Sequence, residues 1–215
     1  MNGRYTKEEE RIQGANVVLD SFVLDSSFEK IYNDSSDRGG KKYKEILHPT
    51  PNILPDRINT VEGVILHHTA EPTIEKSLGV LTSSKRKVGT HVVIDIDGTR
   101  YIMAKPEVVT FHAGLSILKG KENCNDFTIG IEFQGNTLEK PLTEDQINSA
   151  IQYLLPLIEK KKIPLSCIVT HEMIRCAYKT KYPHKKCSGK VDITQVEYKR
   201  FMKALKDSIN KKRQL

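Results

Sequence analysis

The chain has 215 residues, 34 Lys and Arg against 27 Asp and Glu, a formal charge of +7 and a hydrophobic fraction of 38%. That length allows one compact domain with an extension, or two small ones. Trp is absent and aromatics make up 7%, which disfavours a platform for stacking single-stranded bases; the charge favours anionic partners without choosing among them.

The sequence starts MNGRYTKEEE, which is no secretory leader. Taken literally this implies a cytoplasmic protein, or one of the periplasm or cell envelope if a leader has been removed, so localisation stays open. No apolar run approaches the roughly 18 to 20 residues of a membrane helix, so no integral membrane segment is expected. Cys124, Cys167, Cys176 and Cys187 include no C-x-x-C pair and are too few for a disulfide framework.

Residues 1–55 read as a polar N-terminal extension, with one short helix near Lys7 to Val18 and with Pro49, Pro51 and Pro55 discouraging regular structure towards its end. Residues 56–215 then form the folded domain. From Val61 the run VEGVILHH reads as a buried strand, and THVVIDIDGTRYIMA as two strands joined by a hairpin at Asp97-Gly98. VVTFHAG is a further strand. FTIGIEFQG alternates around Ile129, Ile131 and Phe133, and its glycines suggest close backbone approaches.

Thr143 followed by Gln146 is a capping-box pattern, and Ile147, Ala150, Ile151, Leu154, Leu155 and Ile158 then share one helix face. Pro156 should kink that helix. LSCIVTHE reads as another buried strand, and TQVEYKRFMKALKDSI as a terminal amphipathic helix capped by Thr194. No phosphate-binding fingerprint or Walker loop accompanies this α/β order of elements, so nucleotide binding has no support.

His67, His68 and His171 stand where strands end. Side chains there can converge over one edge of a sheet and build a metal site, although a single histidine after an apolar run is more often a hydrogen-bonded structural residue. Glu132, on an apolar alternating strand, is either solvent-facing or buried in a cleft beside a metal.

VILHHTA, HVVIDIDGTRY, FHAG, Asn125, IGIEFQGN, a helix, THE and a Lys-rich segment follow one another over about residues 58 to 205. In that order they resemble the zinc-dependent N-acetylmuramoyl-L-alanine amidase family, of the AmpD and peptidoglycan-recognition type. The resemblance implies an α/β fold with a single mixed central sheet flanked by helices. It implies Zn2+ held by His67 and His171, with His68 facing the other way.

For the third ligand the family uses Asp or Cys, with a catalytic lysine two positions earlier, and this chain offers both Lys190-Val191-Asp192 and Lys185-Lys186-Cys187. Glu132 present, and Thr90 where the Cys-type members commonly carry a tyrosine, favour Asp192 with Lys190. His112, in Phe111-His112-Ala113-Gly114, resembles a histidine that lines the family's substrate cleft, with Phe in place of the usual Trp. Asn125 is a second substrate-contact candidate.

What the resemblance implies is hydrolysis of the amide between N-acetylmuramic acid and L-alanine in peptidoglycan or muropeptides, in wall catabolism or muropeptide recycling. Glu132 and Lys190 would be the catalytic residues, and the chain would act as a monomer. The alternative is a recognition module that binds muropeptides without cutting them. A nucleic-acid partner would rest on charge alone, with no groove-reading motif.

Overall fold

In the computed structural model, which describes residues 41–186 and 192–214, the apolar runs become strands β1 (Glu45–Leu47), β2 (Ile53–Ile58), β3 (Gly63–His68), β4 (Val92–Ile94), β5 (Arg100–Ile102), β6 (Val108–Thr110), β7 (Ile117–Leu118), β8 (Lys121–Glu122), β9 (Thr128–Phe133) and β10 (Ile168–Thr170). Helices α1 (Ile74–Leu81), α2 (Glu144–Lys161), α3 (His171–Lys181) and α4 (Gln195–Arg213) join or follow them.

Six strands form the central sheet in the order β1-β5-β4-β9-β3-β10. The four from β4 to β10 run parallel, β5 is antiparallel to β4, and β1 is parallel to β5. This is a mixed sheet flanked by helices. Every residue of β3 and β9 is buried, as befits central strands covered on both faces.

Alternation along those strands sorts the side chains. Val64, Leu66, Ile129, Ile131 and Phe133 pack with Tyr153 and Leu154 of α2 and Phe201 and Leu205 of α4. On the other face, Ile65 and Val169 meet Ile174 of α3, and Val93 meets Leu78 and Leu81 of α1. The remaining positions of that face, at the C-terminal ends of the parallel strands, are polar.

The hairpin forms at Asp97-Gly98, where Gly98 takes the left-handed φ of +86° that the turn needs. The capping box of α2 is complete: Thr143 Oγ1 accepts from the Gln146 N–H at 3.0 Å, and Gln146 Oε1 accepts from the Thr143 N–H at 3.0 Å. Gln146 Nε2 also donates to the Gln134 carbonyl at 2.9 Å, which ties the start of α2 to the chain leaving β9. The helix continues through Pro156 to Lys161. Thr194 caps α4.

Residues 45–58, placed largely in the extension by their polarity and prolines, fold onto the domain. β1 completes the sheet edge, with the Glu45 carboxylate 2.9 Å from Arg100 Nε. β2 pairs antiparallel with β6, and its ladder shifts register between Leu54 and Ile58. Pro55 lies within that shift, where a missing N–H costs no ladder bond. Of the extension as read from the sequence, residues 1–40, including the helix expected near Lys7 to Val18, lie outside the described residues.

Candidate metal centre

His67 and Glu132 are register partners on β3 and β9, so their side chains rise from one face of the sheet end side by side. His171 is the first residue of α3, directly after β10, with Thr170 Oγ1 capping the helix through the Met173 N–H at 3.4 Å. Asp192 comes in from the chain before α4. One donor atom from each of His67, His171 and Asp192 lies within 4.8 Å of the other two, and all three residues are buried.

Both imidazoles turn Nδ1 towards the same carboxylate oxygen. Asp192 Oδ2 is 2.8 Å from His171 Nδ1 and 3.7 Å from His67 Nδ1. Asp192 Oδ1 accepts from the His68 backbone N–H at 3.2 Å, so the C-terminal end of β3 fixes how the carboxylate is presented. Two imidazoles and a carboxylate, buried and converging, are a donor set that suits a divalent cation. Glu132, 4% exposed, stands beside them.

His68 points away from this cluster, as alternation requires. Its Nδ1 accepts from the Thr137 N–H at 3.1 Å and lies 2.9 Å from Thr137 Oγ1, and that hydroxyl oxygen accepts from the Thr194 N–H at 3.0 Å. His68 thereby links β3, the turn after β9 and the start of α4, the segments that carry His67, Glu132 and Asp192.

The substrate-contact candidates have other surroundings. His112 is buried behind His67, its Nδ1 3.3 Å from His67 Nε2 and its Nε2 3.1 Å from the Thr128 carbonyl. Burial, with His67 and His91 next to it, holds its pKa well below the usual histidine value. Asn125 uses its side-chain oxygen to accept the His112 and Ala113 backbone N–H groups at 3.0 and 2.7 Å.

His91 is a participant that sequence reasoning passed over. Its Nδ1 accepts from the Gly130 N–H at 2.9 Å, and its Nε2 is 2.8 Å from the Val108 carbonyl. Burial pushes its pKa down to about 4. The only available signal was its place at the start of a strand; its partners are distant in sequence.

Of the remaining candidates, Lys190 and Cys187 lie outside the described residues. Lys185 is exposed, its Nζ 4.8 Å from the Tyr182 ring centroid. Thr90 is buried, its Oγ1 close to Gly130. The Cys124 thiol is raised to about 11 by burial, which makes it an unreactive core residue.

Residues 57–190 match the family model for N-acetylmuramoyl-L-alanine amidase, known as Amidase_2. The chain belongs to that family. Among its relatives, a 1,6-anhydro-N-acetylmuramyl-L-alanine amidase AmpD of Haemophilus influenzae is 39% identical over 89 residues, which cover 40% of this chain and 46% of that protein. AmpD of Escherichia coli K12 is 41% identical over 49 residues, 23% of this chain and 27% of that protein. The match thus spans less than half the length of these curated relatives.

The family's architecture is also evident in three dimensions. A selenomethionine derivative of AmpD superposes with a TM-score of 0.55 at 20% identity, covering 75% of this chain and 95% of its own. A mutant endolysin from Bacillus subtilis gives 0.54 at 19% identity, covering 76% and 99%. These likenesses establish the fold. Among the described residues, no helix is long and apolar enough to cross a membrane.

Proposed function

We propose that this chain is a zinc-dependent hydrolase that cleaves the amide between N-acetylmuramic acid and the L-alanine opening a peptidoglycan stem peptide. The observation that carries the reading is the convergence of His67, His171 and Asp192 within 4.8 Å beside the buried Glu132. The relatives named as 1,6-anhydro-N-acetylmuramyl-L-alanine amidases favour a soluble anhydro-muropeptide over polymeric wall.

His67, His171 and Asp192 would hold the zinc. When bound there it would lower the pKa of a bound water towards about 7 and polarise the scissile carbonyl. Glu132 would accept the proton of the attacking water and return one to the leaving L-alanine nitrogen, a role that asks for hydrogen-bond reach. Lys190, two positions before Asp192, would steady the charge that develops on the carbonyl oxygen; removal of one such donor costs about 2.7 to 4 kcal/mol. The His68 N–H on Asp192 and the Thr170 cap before His171 would keep the ligands in place as substrate enters.

The test is incubation of the zinc-loaded chain with 1,6-anhydro-N-acetylmuramyl peptide, and separately with intact sacculi, followed by mass spectrometry. Release of a free stem peptide from the small substrate supports the reading. Binding without cleavage, in protein shown to contain zinc, would turn it into a recognition module.

A further inference from the structure

Behind His67, on the side away from Asp192, the polar layer continues as a chain of buried imidazoles. His67 and His112 meet edge to face with centroids 5.5 Å apart, and His112 and His91 do the same at 5.5 Å. Their hydrogen bonds determine where each proton sits.

The Thr128 carbonyl can only accept, so His112 Nε2 must carry the hydrogen at that 3.1 Å contact. In the neutral ring Nδ1 is then a lone pair, and it faces His67 Nε2 at 3.3 Å. An acceptor there calls for a proton on His67 Nε2, which leaves the lone pair of His67 on Nδ1, the nitrogen turned towards Asp192 and His171. His91 has both nitrogens engaged, Nδ1 by the Gly130 N–H and Nε2 by the Val108 carbonyl. It offers His112 only ring edge.

The His112 ring is held on every side. Asn125 fixes its backbone through the His112 and Ala113 N–H groups. A Cβ on Gly130 would stand 2.8 Å from His112 Cγ and 2.9 Å from its Nδ1, so the absence of a side chain at that position is what admits the imidazole.

We propose that His112 is a positioning residue that selects the metal-facing nitrogen of His67. A ligating histidine nearly always donates its second ring N–H to a carboxylate, carbonyl or water, which fixes its tautomer and orientation. Here a neutral imidazole takes that part. The inference rests on the metal-centre reading given above, yet the tautomer it assigns belongs to the metal-free chain and can be read without zinc.

The experiment has two arms on the full chain. Long-range 1H–15N correlation of the histidine side chains in metal-free protein should show His67 protonated on Nε2; protonation on Nδ1 overturns the proposal. In the second arm, competition against a chromophoric chelator measures affinity for Zn2+ alone. His112→Leu, which keeps bulk and removes the acceptor, should weaken zinc by about 10- to 100-fold, whereas His112→Asn, whose Oδ1 can replace Nδ1, should stay within about threefold of the parent.

Equal loss in both variants, or full affinity in His112→Leu, refutes the selection of the nitrogen. If His112→Leu does not fold, the NMR arm and His112→Asn decide. A parent chain that binds no zinc would end the hydrolase reading and leave the His67 tautomer to be judged by the first arm.

Discussion

The two faces of the central sheet are held together in different ways. Beneath α2 and α4 the layer is hydrocarbon, built from residues such as Leu66, Ile131, Leu154 and Phe201. At the strand ends of the other face it is a set of imidazoles and carboxylates whose arrangement depends on which atom carries a proton. Hydrocarbon contacts are non-directional and roughly proportional to area. A buried polar layer must be satisfied group by group. One layer gives the domain its stability and the other its chemistry, and mutations should separate them.

The largest effect is expected at Glu132. Glu132→Gln should lower amide hydrolysis by about 10²- to 10⁴-fold with zinc content unchanged, while Asp192→Ala should lose both; activity assays paired with metal analysis distinguish the two. Loss of zinc from Glu132→Gln would make Glu132 a ligand and redraw the polar layer. Across the sheet, Leu154→Ala should cost about 2 to 5 kcal/mol in urea unfolding and leave zinc affinity of the folded fraction intact. A drop in that affinity would mean that the layers are coupled.

Acid should also tell the faces apart. The pKa of His91 falls from 6.5 to about 4 on folding, so the unfolded chain binds the extra proton. Its contribution is full above pH 6.5 and is lost as pH falls towards 4, a change of about 3 kcal/mol. Chemical unfolding of metal-free protein across that range should show the decline, to which His112, its pKa also lowered by burial, adds in the same direction, and His91→Asn should make it shallower. The smallest effect is expected at Thr143→Ala, about 1 kcal/mol from the lost cap of α2, read as a lowered Tm without change in zinc binding.

The sequence is most legible where one local rule governs. The buried run ending at His67, the hairpin at Asp97-Gly98 and the Thr143–Gln146 capping box all reappear in the structure as read. β2 was hidden because Pro55 is a strand breaker in general but is tolerated in a two-stranded ribbon with a register shift. β1, three residues with two exposed, carries almost no apolar pattern.

In the polar layer, residue types could be read from the sequence but not their partners. The spacing of Asn125 from His112 does not disclose that its oxygen clasps two backbone N–H groups. Nor does the glycine in IGIEF reveal that the space it leaves belongs to the His112 ring, from the segment that follows β6. These are contacts between distant segments, and one-dimensional patterns do not encode them.

The origins of the three converging side chains bear on how the domain holds its C-terminal end. His67 stands at the end of a central strand, His171 opens α3, and Asp192 precedes α4 by only the short stretch ending in the Thr194 cap. A cation shared among them would act as a cross-link between a central strand of the parallel ladder and helix α4. Such a link binds the folded chain and not the unfolded one, so free metal concentration becomes a setting for stability as well as for catalysis. In metal-poor surroundings the terminal helix would keep its grip through apolar contacts such as Phe201, Met202 and Leu205 and through hydrogen bonds such as that from the Tyr198 hydroxyl to the Ile168 carbonyl at 2.9 Å, and a loosening of its first turn would be the first mechanical sign that the ion had left.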